Sequence, residues 1–212
     1  MRPTLAAALS ALALLAAAPA AAQLSMEVRG GAGAGSYEAT SAGFQLIPRP
    51  AMSASLDYAP TPLWSVYAGY TYAGFGCEEG FCRGVDPVFT SRGIDAGVRF
   101  QLPHGLWVRG GAVMHSLGIE SRRGEETFSE SSDAAFGLGA GVGIGVRLGN
   151  RVIITPGIGY TRYTADTADG SDGVALLTAD VGLRISLTGP RGLREARPSY
   201  AVPRITPAPP AP

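Results

Sequence analysis

The chain has 212 residues with 17 basic and 17 acidic side chains, so its formal net charge is zero and nothing favours a nucleic-acid partner. Charged residues make up only 16% of the chain, and 30 residues are glycine. Glycine costs about 1 kcal/mol at each helical position, and it recurs in most of the apolar segments, so a helical fold is poorly supported.

The first residues have the pattern of a secretory signal peptide. Arg2 supplies a positive charge, residues 5–15 are almost all Ala and Leu, and residues 18–22 are small, which predicts cleavage just before Gln23. The apolar run is shorter than the roughly 20 residues of a membrane-spanning helix.

After residue 22, apolar and polar residues alternate with a period of two, which is the pattern of β-strands. The fifth segment is the least regular, because Trp107 and Val113 fall on its polar face. Eight strands are predicted, at about residues 24–35, 51–58, 64–72, 94–102, 106–116, 136–147, 152–161 and 177–187.

The connections between these strands alternate between short and long. Residues 59–63, 103–105 and 149–150 are rich in Pro, Gly and Asn, which is typical of tight turns. The other four connections are long and polar, at residues 36–50, 73–90, 117–133 and 164–173. The pattern predicts an antiparallel up-and-down meander with turns at one end and long loops at the other.

The charged residues of the strands lie almost entirely on the face that carries the glycines. The opposite face is bulky and apolar, and it is free of charge except at the rim next to the long loops, near Arg162. We predict a charge network on the glycine-rich face, formed by Glu27, Arg29, Asp57, Asp95, Arg99, Arg109, Arg147, Asp180 and Arg184, with Arg151 nearby.

This distribution indicates which face meets lipid. A soluble, lipocalin-like binding barrel in the periplasm is the alternative, but its glycine-studded strands would face water and pack against nothing. In a membrane barrel the bulky face contacts lipid, where Arg or Lys costs about 2–4 kcal/mol at mid-bilayer. Eight strands leave room inside only for side chains, so we expect paired charges to fill the lumen, which argues against an open pore.

Aromatic residues lie near both ends of the apolar face. Tyr58 and Trp64 are close to the turns, and Tyr70, Tyr72 and Tyr160 are close to the long loops. These positions predict an aromatic girdle at each membrane interface, although ordinary core aromatics would give the same pattern.

In this architecture, with segments such as residues 64–70 and 181–187, the chain resembles the small outer-membrane β-barrel family that includes the OmpA transmembrane domain and OmpX. The resemblance implies an all-β, eight-stranded antiparallel up-and-down transmembrane barrel in the outer membrane of a Gram-negative-type bacterium. We expect a monomer surrounded by outer-membrane lipids. The domains would be a signal peptide at 1–22, the barrel at 23–187 and a Pro/Arg-rich periplasmic tail at 188–212.

Cys77 and Cys82 lie in the second long loop, and export makes a disulfide between them the preferred prediction. A metal site would need more ligands than two thiols and the nearby acids, so neither a metal nor another cofactor is predicted.

The alternative of a lipid-modifying enzyme requires a His and a Ser that converge. His115 and Ser116 are adjacent, so on a strand they face opposite sides, and His104 lies in a turn. We therefore expect no enzyme and no catalytic residue. A structural role, ligand binding through the extracellular loops and a narrow pore remain as function classes, of which the pore is the least favoured.

Overall fold

The computed structural model describes residues 22–37, 45–76, 88–123, 126–167 and 170–188. The predicted signal peptide up to residue 21, both cysteines and the tail after residue 188 lie outside the described residues.

The described chain is almost entirely β-structure. A single turn of 3-10 helix, Pro103–Gly105, lies between two of the strands. The strands are β1 (Gln23–Tyr37), β2 (Gln45–Ala59), β3 (Trp64–Gly76), β4 (Val88–Gln101), β5 (Leu106–Arg123), β6 (Glu126–Ser131), β7 (Ala135–Ile144), β8 (Val146–Arg147), β9 (Val152–Thr167) and β10 (Gly170–Ser186).

Each strand pairs antiparallel with its neighbours, and β1 pairs with both β2 and β10, so the sheet closes on itself. β6 pairs with residues 118–123 of β5, and β7 pairs with residues 106–115 of β5. β8 continues the line of β7 and pairs with β9. Together, β6, β7 and β8 form a single interrupted strand of the barrel. The prediction of an all-β, eight-stranded antiparallel up-and-down barrel is confirmed.

A one-residue bulge separates β6 from β7. Gly118 pairs with Ser131 and His115 pairs with Ala135, so three steps along β5 oppose four on the other side. Such a bulge bends the strand locally. The Ser132 hydroxyl stabilises the bend, since it accepts a hydrogen bond of 2.9 Å from the Leu117 amide.

The two ends of the barrel differ. At the turn end, short connections follow β2, β4 and β8. In the turn after β4, Gly105 has φ = 79°, and a Cβ there would lie 2.7 Å from the Gly145 carbonyl oxygen, so this left-handed position requires glycine. We call the opposite end the loop end.

The prediction of four long loops was wrong in extent. Residues 117–133 are mostly a hairpin between β5 and β6, and residues 164–173 are mostly a hairpin between β9 and β10. Strand residues also occupy parts of 36–50 and 73–90. Beyond the membrane the outer strand face is polar, as at Thr164 and Asp166, while inner residues such as Ala165 are small or apolar, so the bulky apolar alternation used to recognise strands ends before the strands do.

The outer face of the barrel is apolar. Its exposed side chains include Met52, Ile94, Phe100, Ile158 and Val181, each more than half exposed. Charged side chains such as Glu27 and Arg99 are 1–2% exposed inside. This arrangement is the reverse of a soluble lipocalin-like barrel, so that alternative was wrong.

Within the described residues, no helix is long and apolar enough to span a membrane.

The interior has two unlike halves. An apolar cluster fills the loop end, where Phe75 and Phe89 stack with centroids 5.1 Å apart against Leu117, Val174 and Leu176. Charged side chains fill the turn end. Neither half resembles the water-filled lumen of a large porin.

The lipid-facing surface makes a quantitative prediction. Ile158→Arg should destabilise the folded barrel by about 2–4 kcal/mol, because it places a charge in the apolar band. Thr164→Arg, on the same face of β9 but beyond Tyr160, should cost far less. Urea unfolding in lipid vesicles, followed by gel mobility without boiling, measures both. Equal losses for the two variants would contradict the assigned membrane position.

Candidate functional site

Six buried or nearly buried charges form a chain of alternating sign across the turn end of the lumen. Their order is Asp180, Arg29, Glu27, Arg99, Asp57 and Arg184. Arg29 donates to Asp180 at 2.9 Å from Nε and also bonds Glu27. Three arginines balance three carboxylates, which is the condition for burying charge in so narrow a space.

Each link of the chain has a specific geometry. Glu27 bridges Arg29 and Arg99 and accepts a third hydrogen bond of 2.6 Å from the Thr155 hydroxyl. Asp57 lies 4.0 Å from Arg99 and 3.4 Å from Arg184. The residues come from β1, β2, β4, β9 and β10, so the chain connects strands that are not neighbours in the wall.

Trp107 forms the floor under this chain. Its ring is 1% exposed, and the guanidinium carbons of Arg99, Arg29 and Arg109 lie 4.2, 5.0 and 5.9 Å from its centroid. Cation–π attraction strengthens where water is excluded. This role of Trp107 was not predicted from the sequence. The feature that could have indicated it is the position of an indole on the polar face of its strand.

Two glycines make room for the indole. Gly143 and Gly157 pair across β7 and β9, and a Cβ on either would come within 2.4–2.7 Å of Trp107 Cζ2. The glycine-rich lumen face is therefore shaped to the large side chains opposite it.

The remaining residues of the predicted network lie elsewhere. Asp95 belongs to a separate cluster. Arg109 lines a cavity, and among the described residues no carboxylate oxygen lies within 4 Å of its guanidinium nitrogens. Arg147 is exposed at the turn end, as is Arg151. Including Arg147 in the lumen network was wrong: β8 has only two residues and both are exposed at the rim.

A second polar cluster joins β4, β5 and β9 above the charge chain. Tyr163 donates to Ser91 at 3.0 Å, Ser91 Oγ lies 3.0 Å from His115 Nδ1, and His115 Nε2 lies 2.7 Å from Asp95. Thr71 donates to the other Asp95 oxygen. Ser91 was not predicted as a partner of His115, because it lies 24 residues away in the chain and becomes its diagonal neighbour only through the β4–β5 register, in which Gly93 pairs with His115.

Ser91, His115 and Asp95 follow one another as in a Ser–His–Asp catalytic triad, but a substrate could not reach the serine. Ser91 and His115 are both 0% exposed, and the Tyr163 hydroxyl already bonds the Ser91 oxygen. The cavity touches Asp95 and Thr71 but neither Ser91 nor His115. The cluster is therefore arranged as a bridge between strands.

The cavity lies between the charge chain and the apolar cluster. The space open to the centre of a water-sized sphere is about 40 Å³. Hydroxyl and charged side chains line much of it, together with Leu176 and Val113.

The aromatic residues of the predicted girdle are all at the outer face. Trp64, Tyr70 and Tyr160 are 37–50% exposed, and Tyr58 and Tyr72 are half-buried. Trp64 opposes Phe100 near the turn end, and Tyr70 lies six residues further along β3.

Among the described residues, no group of three or more His, Cys, Asp or Glu side chains could hold a metal ion. The predicted disulfide involves residues outside the described part of the chain.

The profile of the outer membrane protein β-barrel domain family matches residues 5–184. The chain belongs to this family. The resemblance to small outer-membrane barrels is thereby confirmed, and so is the predicted location in the outer membrane. No curated protein sequence matches the chain significantly.

Solved structures of the same fold have low sequence identity to this barrel. Neisserial surface protein A is 15% identical over 76% of this chain and 96% of its own, with a TM-score of 0.54. Ail of Yersinia pestis, solved with the heparin analogue sucrose octasulfate, is 14% identical over 77% and 99%, with a TM-score of 0.51. A major outer membrane protein of Thermus thermophilus is 16% identical over 78% and 99%, also with a TM-score of 0.51.

The charge chain predicts a large effect from one neutral substitution. Glu27→Gln leaves Arg29 and Arg99 without their shared carboxylate, and removing one partner of a buried ion pair costs about 3–5 kcal/mol. Glu120→Gln, at an exposed position of β5, should change the free energy of unfolding by less than about 0.5 kcal/mol. Urea unfolding of both variants measures the difference, and equal stabilities would refute the structural role of Glu27.

The indole floor predicts a contrast between two glycines. Gly143→Ala drives a methyl group into Trp107 and should cost about 1–3 kcal/mol, the usual range for overpacking. Gly30→Ala adds its methyl to open space on the outer face and should be tolerated. The thermal midpoint of the folded gel band reports both effects. A tolerated Gly143→Ala would show that Trp107 is not held as described.

Proposed function

We propose that this outer-membrane barrel is a non-enzymatic scaffold that presents its loop-end hairpins for interactions at the cell surface. The observation that carries the proposal is the length of the strands beyond the aromatic girdle. β5 has 18 residues, or roughly 60 Å of strand at about 3.4 Å each. A tilt of about 40° leaves roughly 45 Å along the membrane normal, against an apolar band of about 25 Å.

The projecting parts are polar. On β6, Ser129, Glu130 and Ser131 are exposed, and on β9 Thr164 and Asp166 are exposed. Their inner faces are different, since Ala165 and Val174 of the β9–β10 hairpin are fully buried in the apolar cluster and Ile119 of the β5–β6 hairpin packs against it. Each hairpin is thus anchored from inside, and rigid scaffolds that carry exposed connections commonly bind partners through them.

The filled interior supports a scaffold rather than a pore or an enzyme. The charge chain occupies one half of the lumen and the apolar cluster the other. Ser91 and His115 are fully buried and do not line the cavity, so neither offers a surface to a substrate. We further propose that the barrel is a monomer whose girdle contacts outer-membrane lipids.

The test replaces one hairpin without disturbing the barrel below it. Residues 118–131 are exchanged for Asn-Gly, which joins Leu117 to Ser132, whose backbones already hydrogen bond at 2.8 Å. The variant should keep its heat-dependent gel shift in outer-membrane fractions. Cells that carry the full barrel are compared with the variant on arrays of sulfated glycans and peptides, and sulfated glycans are included because of the Ail complex.

We expect the full barrel to bind at least one array member and the shortened barrel to bind it about tenfold less or worse. A matched variant shortens the other hairpin by exchanging residues 166–171 for Asn-Gly, and it identifies which hairpin carries the contact. Binding no stronger than that of cells lacking the protein, or binding unchanged in both variants, would overturn the proposal.

A further inference from the structure

Within the part of the chain that the structure describes, four arginines reach into the turn half of the lumen and the cavity, and three of them have carboxylate partners. Arg29 bonds Glu27 and Asp180, Arg99 bonds Glu27, and Arg184 lies 3.4 Å from Asp57. A guanidinium stays charged under all ordinary conditions, so each of these cations needs compensation inside a narrow barrel.

Arg109 is the fourth, and it has no carboxylate within 4 Å among the described residues. Its guanidinium carbon lies 5.7 and 5.9 Å from the ring centroids of Tyr67 and Trp107. These distances are near the outer limit of a cation–π interaction and give weak compensation.

The wall beneath Arg109 is shaped to hold it. A Cβ on Gly141 would lie 3.0 Å from its Nε, and a Cβ on Gly159 would lie 3.7 Å from its Nη2. The two glycines pair across β7 and β9 and let the guanidinium lie close to the strands. Arg109 therefore borders the cavity from a fixed position.

The other charges around the cavity are already engaged. Arg29 and Asp180 bond each other, and Asp95 accepts from Thr71 and contacts His115 at 2.7 Å. The rest of the polar lining consists of hydroxyl groups, from Ser53, Tyr67, Thr71, Thr161 and Thr178.

Unpaired N–H donors lie beside Arg109, on Trp107 and Arg99, which do not line the cavity themselves. Among the described residues, Trp107 Nε1 and Arg99 Nε and Nη2 are buried without an acceptor. Buried N–H groups are rarely left unpaired, so the region favours an electron-rich ligand over a cation.

We propose that the lumen cavity binds a small monovalent anion of about the size of chloride, held by the Arg109 guanidinium with support from the surrounding hydroxyls. The cavity of about 40 Å³ sets the size limit. One water needs about 10–15 Å³ by the same measure, so a halide with one or two waters fits and a bulky organic anion does not.

Bound anion would stabilise the folded barrel, because the unfolded chain has no such cavity. It would supply Arg109 with a counter-charge in direct contact, which the described strands do not provide. This proposal is independent of the hairpins, so it stands or falls separately from the surface role.

The first arm of the test locates the anion. The full-length protein is crystallised from detergent with bromide in place of chloride, and anomalous scattering is measured at the bromine edge. We expect a peak in contact with the Arg109 guanidinium inside the lumen. Bromide peaks confined to the outer surface, or no peak, would overturn the proposal.

The second arm measures the energetic coupling. The thermal midpoint of the folded gel band is compared in sodium chloride, sodium bromide and sodium gluconate at equal ionic strength. Both halides should raise the midpoint by about 2–4 °C relative to gluconate, which is too large to enter. Equal midpoints would overturn the proposal even with a bromide peak, because they would indicate binding at crystal concentration only.

Arg109→Gln should abolish the halide effect, whereas Arg147→Gln, at the exposed rim, should retain it. A halide effect that persists in Arg109→Gln would place the anion elsewhere and refute the assignment. If Arg109→Gln does not fold, the bromide map and the salt comparison on the unaltered protein still decide the question.

Discussion

Within hydrocarbon, every backbone N–H and C=O must find its partner inside the protein, and a sheet can meet this demand only by closing on itself. The long β1–β10 ladder, from Ser25–Ser186 to Tyr37–Val174, is the pairing that closes this sheet. Once the ring holds eight strands, its interior is too narrow for water to solvate ions freely. Charges placed there need compensation, and most of them obtain it through direct contacts with opposite charges.

The alternating chain from Asp180 to Arg184 is a consequence of that constraint. Its carboxylates and guanidiniums come from strands on different sides of the ring, so the chain braces the barrel across its width. Trp107 adds a flat surface over which three arginines gather, and the Gly143–Gly157 pair leaves the space for it. Small and large lumen residues are therefore complementary.

Toward the loop end the interior changes from ionic to apolar, with the hydroxyl–histidine bridge between the two regions. The apolar cluster anchors hairpins that project beyond the girdle, and their outer faces are polar. Stability thus resides mainly inside the barrel, and exposed chemistry resides mainly on the hairpins. This separation is what allows a surface scaffold to vary its exposed segments without losing its fold.

The sequence alone was sufficient for the strand count, the antiparallel closure and the identity of the lipid-facing side, because a period of two and the cost of a charge in lipid are local properties of each strand. It also indicated that Glu27, Arg29, Asp57, Arg99 and Arg184 share one face. Only the tertiary structure decided which of these charges pair, that Arg147 is outside the lumen and that Arg109 has no carboxylate partner among the described residues. It likewise brought Ser91 to His115 and extended the strands into hairpins. Those features depend on contacts between residues that are distant in the sequence and on the ladder beyond the membrane, and neither leaves a periodic signal in the chain.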